Sequence, residues 1–135
     1  MKLTDLGARF IRWEQREGSV AHVRADVLSE RPTGPFSEDD VENVPCLQTF
    51  HVYVDTLAQA DGIMFRCPKC THQVLCWFVG KVPDSVDPKP GRWIPRGTGV
   101  GDLSFVTDAQ HPLCSVKLDC AHFYVRDGSI VLLPS

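Results

Sequence analysis

No part of this sequence contains the roughly 20 consecutive apolar residues that a bilayer-spanning helix needs, so no membrane segment is expected. Positive charge is also scarce. Lys and Arg number 14 against 17 Asp and Glu, for a formal charge of −3 and a pI near 5.9. Nucleic-acid binders normally present a basic face, and no nucleic-acid partner is expected here. The opening "MKLTDLGARFIRWEQREG" lacks the apolar stretch of a secretory signal, which points to a cytoplasmic protein with reduced thiols. A GxSxG elbow is missing. So is the βαβ pattern that would place a CxxC pair at the end of a thioredoxin-like helix.

What is present fits one small globular domain. The chain has 135 residues, 43% hydrophobic and 23% charged, enough for a single core. Short runs rich in β-branched and aromatic residues alternate with turn signals, which predicts a mainly β, small antiparallel domain with little helix, spanning 1–135 without a boundary. Strands are expected at Ala8–Glu14 and Ser19–Leu28, joined by a turn at "REG", and at Thr49–Asp55. Further strands are expected in "IMFRC", "QVLCWFVG", "DLSFV", "CSVKL", "HFYVRDG" and "SIVLL". "TLAQADG" suggests one helical turn, and "RDGS" is a hairpin signal. Two segments read as long loops: 29–48, rich in Pro, Gly, Ser and acid, and 81–101, crowded with Pro and Gly.

The six cysteines of a reduced protein suggest metal ligands or core residues rather than disulfides. Cys67 and Cys70 form a CxxC whose spacing lets two sulfurs on one tight turn reach a single tetrahedral ion. Cys120 follows Asp119 at a second turn, so two hairpin tips could share one zinc. For the fourth ligand His72 stays near the first turn. Cys76 lies roughly 20 Å along an extended chain from Cys70 and sits in "VLCWF", where it resembles a small buried hydrophobe. The expected set is Cys67, Cys70, His72 and Cys120, with Cys76 as the substitute for His72. Four protein ligands would make the Zn2+ structural, since no position is left for water.

A second chemistry is suggested by "CSVKLDCAHFYVRDG". If two short strands pair about the Leu118–Asp119 turn, Ser115 and His122 approach each other. A histidine within reach can take the serine proton as the serine attacks a carbonyl. A third group should hold the imidazole, and Asp102 is preferred over Asp119. On spacing alone, a surface serine and a structural histidine satisfy the same pattern.

The stretches "ADGIMFRCPKC", "CWFVGKVPDSVDPKPGRWIPRGTGVGDLSF" and "SVKLDCAHFYVRDG" together resemble a small zinc-containing family of unassigned function. That family occurs in phages and in bacterial ubiquitination-like operons. The resemblance covers roughly Phe50 to Val131. Its operon-encoded members are considered serine peptidases of ubiquitin-like proteins. Carried over, it implies Ser115 as nucleophile, His122 as general base, and Cys67, Cys70 and Cys120 as metal ligands. This chain departs from the family pattern. Cys114 stands where the family has a proline, "CAH" is one residue shorter than Cys-x-x-His, and the knuckle is CPKC followed by His72. The resemblance thus implies a deubiquitinase-like hydrolase with structural zinc, in a bacterial host or phage-infected cell, acting on a ubiquitin-like or other protein. The alternative is a non-enzymatic zinc-binding module that docks another protein.

Overall fold

The computed structural model describes residues 1–88, 91–112 and 114–134. The expected loop 81–101 therefore includes two positions, 89 and 90, that lie outside the described residues. The chain divides into two compact units, Met1–Trp13 with His51–Ser135, and Glu14–Phe50.

The fold is mainly β, with antiparallel sheets and one short α-helix. Among the described residues the strands are β1 (Arg9–Val23), β2 (Val41–Val54), β3 (Gly62–Arg66), β4 (Gln73–Trp77), β5 (Ile94–Arg96), β6 (Ser104–Val106), β7 (Ser115–Lys117), β8 (His122–Arg126) and β9 (Ser129–Leu132). They form one sheet of order β2-β1-β3-β4, a β5-β6 pair and a β7-β8-β9 sheet. No helix among the described residues is long and apolar enough to cross a membrane.

The core of the larger unit follows from strand alternation. Ile63 and Phe65 on β3, Val74 and Cys76 on β4, Val116 on β7, and Phe123 and Val125 on β8 are all buried. They join in one cluster with Leu3, Phe78, Trp93, Leu103 and Phe105. Phe65 meets Phe123 edge-on at 5.9 Å between ring centres, so the β3-β4 strands and the β7-β8-β9 sheet share one aromatic contact. Trp93 stacks on Phe105 at 5.8 Å, and its indole N–H donates to the Ser115 carbonyl at 3.0 Å.

Three expectations for the first half of the chain fail. "REG" is not a turn, because β1 runs straight through it. Gly18 is a strand residue whose bare α-carbon leaves room for the Gln48 side chain; a Cβ there would stand 2.9 Å from that amide. Ala25–Glu30 is an α-helix rather than the end of a strand, with Ser29 Oγ donating to the Ala25 carbonyl. The expected loop 29–48 is shorter, since β2 begins at Val41 and carries Pro45 within it. Proline is tolerated there because β2 is an edge strand.

The Pro/Gly-rich segment also holds more structure than its composition suggests. Ile94–Arg96 pairs antiparallel with β6. Arg92 gathers the preceding loop by donating to the carbonyls of Pro83, Val86, Pro88 and Gly91. Trp77 Nε1 adds a bond to the Asp87 carbonyl at 2.8 Å.

The "RDGS" signal forms the β8-β9 hairpin as expected. Asp127 and Gly128 both take positive φ, 49° and 74°, as a two-residue primed turn requires. Gly128 also accepts from the Leu3 amide and donates to the Leu103 carbonyl, and a Cβ added to it would overlap the Gly101 carbonyl. Gly128→Ala is expected to destabilise the protein by roughly 2–5 kcal/mol, from the left-handed backbone penalty and the overlap together. Urea unfolding of the two proteins side by side measures this.

Candidate metal centre

The turn between β3 and β4 carries Cys67 and Cys70, and the turn between β7 and β8 carries Cys120. Their sulfurs lie within 4.8 Å of one another. Cys70 Sγ is 2.8 Å and Cys67 Sγ 3.3 Å from Cys120 Sγ. All three thiols are free. A zinc ion about 2.3 Å from each sulfur in tetrahedral geometry would hold them about 3.8 Å apart, an adjustment of about an ångström or less. The three cysteines can therefore bind a metal ion such as zinc.

Local backbone makes this possible. Cys67 N–H donates to the His72 carbonyl at 2.8 Å, and Thr71 N–H to the Cys67 carbonyl at 3.1 Å, closing the knuckle on itself. Thr71 takes φ 62° to do so, an unusual conformation for a β-branched residue. The folded turn aims the amide N–H groups of Cys70 and Lys69 at the Cys67 sulfur.

The electrostatics match a cation site. Burial opposes ionisation of Cys67, but those two amides and the neighbouring Cys120 and Cys70 sulfurs outweigh it and hold the thiol below its ordinary range. The Cys120 thiol is pushed the other way, up to about 12, by hydrogen bonding to Cys70 and then to Cys67. Several thiolates this close repel one another. A bound cation would relieve that repulsion.

The remaining expected ligands lie apart from this group. His72 is exposed, and its ring is not among the atoms that close to within 4.8 Å. Cys76 is fully buried on β4 opposite Ile63, where burial raises its thiol pKa far above the usual range.

The serine and histidine lie on one hairpin. In the β7-β8 register Ser115 faces Tyr124 and Lys117 faces His122. Ser115 and His122 therefore stand diagonally on the same face, at positions about 7–8 Å apart in such ladders. No hydrogen bond joins them among the described residues. Ser115 borders a cavity of about 430 Å³ beside Trp93, whereas His122 borders another of about 420 Å³ beside Lys69, Asp119 and Cys120. Lys117 and Leu118 line both.

Asp102 is placed elsewhere. Its carboxylate accepts from Gly99 N–H at 2.8 Å, from Thr98 N–H at 3.0 Å and from Thr98 Oγ at 2.9 Å. It borders a different cavity, with Arg96 and Arg126. Of the two acids considered for His122, Asp119 is the one that shares its cavity. Sequence reasoning did not single out Lys117, which borders both cavities; its alternation with Ser115 on β7 was the available signal.

Comparison with protein-family models, curated proteins and solved structures found no match to this chain.

Two outcomes are expected. Cys120→Ser should weaken zinc affinity by more than about 100-fold, since loss of an outer-shell partner alone costs 10–100-fold. Cys76→Ser should leave metal stoichiometry unchanged. Competition titration against a chromophoric chelator separates the two. For Asp102, the amides of Gly99 and then Thr98 hold its carboxyl below the ordinary aspartate range. Its contribution to stability is therefore complete above the unfolded value of about 3.9 and is lost as pH falls through the lowered folded value. Asp102→Asn should lose less stability than wild type on acidification from pH 5 to pH 2, as read by thermal unfolding across that range.

Proposed function

We propose that this protein is a zinc-stabilised hydrolase of the serine-peptidase kind, acting on the tail of a ubiquitin-like protein or its conjugate. The observation that carries the reading is the β7-β8 register. It puts Ser115 and His122 on one face of a short hairpin whose connecting turn also supplies Cys120 to the sulfur cluster. Ser115 Oγ attacks the scissile carbonyl while His122 takes its proton. The protonated His122 then gives that proton to the leaving amine, and an acyl-serine remains. Water, deprotonated by His122, cleaves the acyl bond and restores the serine.

The metal has a structural role in this reading. Cys67, Cys70 and Cys120 would hold it, and bound zinc supplies a fixed cross-link between two turns. His72, one residue beyond the Thr71 bend, remains the side chain proposed to complete the set.

A second reading is favoured by a specific observation. Ser115 and His122 border different cavities, and the Asp102 carboxylate is engaged by Thr98 and Gly99. That arrangement suits a zinc-bound protein-docking module without catalysis.

Intact-mass analysis of the zinc-loaded protein after treatment with a fluorophosphonate probe decides between them. The hydrolase reading expects a single adduct on Ser115, lost in Ser115→Ala and reduced at least about 100-fold in rate in His122→Ala. Folded, zinc-bound protein that stays unlabelled supports the docking module. A chelator that melts the fold supports structural zinc; one that abolishes labelling while the fold persists places the metal in the chemistry.

A further inference from the structure

Among the described residues, the two sheet edges that flank the 430 Å³ cavity pair with no further strand between Trp93 and the cysteine turns, and the hydrogen-bond phase of each strand shows which groups face it. On the β3-β4 side, Cys67 N–H bonds the His72 carbonyl and Phe78 N–H bonds the Asp61 carbonyl, each at 2.8 Å. Bonded and non-bonded pairs alternate along an antiparallel ladder. With the register Phe65↔Val74 and Met64↔Leu75, Val74 and Cys76 turn their backbone groups toward β3. Gln73, Leu75 and Trp77 turn theirs away. Trp77 confirms the phase, because its carbonyl accepts from the Trp93 amide at 3.0 Å. Gln73 and Leu75 have no backbone partner on that side among the described residues.

The same reasoning applies to β7. Leu118 N–H bonds the Ala121 carbonyl at 2.7 Å, so Val116 faces β8 while Ser115 and Lys117 turn their backbone groups outward. Again one outward group has a partner that fits the phase, the Ser115 carbonyl taking Trp93 Nε1. The outward backbone groups of Lys117 have none among the described residues.

Both edges line the same cavity. Trp93 closes one end, bonded to Trp77 of β4 and to Ser115 of β7. The turns carrying the three sulfurs meet at the other end. Strand β4 runs from the cluster toward Trp93, and β7 runs back. The walls between are largely apolar, and Lys117 is the one charged residue among the described lining.

We propose that this cavity is a strand-addition site for an extended peptide. The peptide backbone pairs along one of the two edges, with the outward N–H and C=O groups of Leu75 or with those of Lys117, and a carboxylate of the peptide meets the Lys117 ammonium. Unsatisfied donors and acceptors at strand spacing beside an apolar wall are what an added strand completes. A compact small molecule would leave most of them unpaired. The inference concerns binding and holds whether or not Ser115 is a nucleophile.

The test uses the full-length zinc-loaded chain and a fluorescein-labelled nonapeptide of alternating valine and serine with a free C-terminal carboxylate, followed by fluorescence polarisation. Two twins carry N-methyl groups on alternate amides, one on the odd positions and one on the even. A third twin ends in an amide. Saturable binding is expected. One methylation pattern should weaken it by at least about 10-fold and the other by less than about 3-fold, because only every second amide of an added strand faces a given edge. Amidation should weaken it by roughly 3–10-fold, and Lys117→Ala should remove that difference. Leu75→Pro or Lys117→Pro deletes an edge N–H that no ladder bond uses. At least one of them should weaken binding about 10-fold with zinc content unchanged. If a proline variant misfolds, the methylated peptides on the wild-type chain decide alone. No saturation at millimolar peptide, or equal losses from both methylation patterns, overturns the proposal. Polarisation scores binding and not cleavage, so a chain that ignores fluorophosphonate but binds the peptide overturns only the hydrolase reading.

Discussion

The convergence of three sulfurs on two turns is the constraint that fixes how two hairpin tips of the larger unit meet. Cys120 lies 50 residues from Cys70 and 53 from Cys67, so joining them closes a long loop. The entropy of closing that loop rises only slowly with length, and a metal that binds the folded chain but not the unfolded one returns stability through mass action. The joined turns belong to hairpins that already share the Phe65–Phe123 contact. A bound ion would thus add to a core interface rather than create one.

That arrangement bears directly on the space between the sheets. With the hairpin tips meeting at the three sulfurs at one end and Trp93 bonded to both edges at the other, β4 and β7 lie near each other without pairing. Open edges are usually shortened, charged or covered in native proteins. Here β7 is only three residues long and ends in Lys117, features that discourage unplanned edge association and are compatible with the proposed strand addition. Ser115 lies on the same strand, so a segment added there would pass the hydroxyl. Peptide capture and hydrolysis are therefore compatible readings of one surface, although each stands on its own observations.

How much was legible depended on how local the signals were. The β-rich character and the "RDGS" hairpin are written in short-range patterns, and they appear in the structure. The meeting of Cys67, Cys70 and Cys120 was legible because cysteines at two turns carry a specific chemistry. Gly18 read as a turn because glycine usually marks one; its role depends on Gln48, thirty residues away, which no local window contains. The start of β2 was hidden by the acidic, proline-containing stretch before it. The position of Asp102 was misjudged for a similar reason. An acid after "GTGVG" satisfies its own turn before it can reach a distant histidine.

Arg92 is the feature whose meaning reaches furthest beyond its own contacts. One guanidinium donates to the carbonyls of Pro83, Val86, Pro88 and Gly91, so a charged hub gathers the loop's backbone beside the apolar contacts of Val82 and Val86 with Ile11 and Trp77. Most surface loops accept insertions readily. This one can change length only where the new backbone still brings its carbonyls back to the same fork. Lysine, with a point charge and no planar array of donors, cannot substitute for it. Among relatives of this chain, the stretch between Pro83 and Trp93 should therefore vary in side chains far more freely than in length.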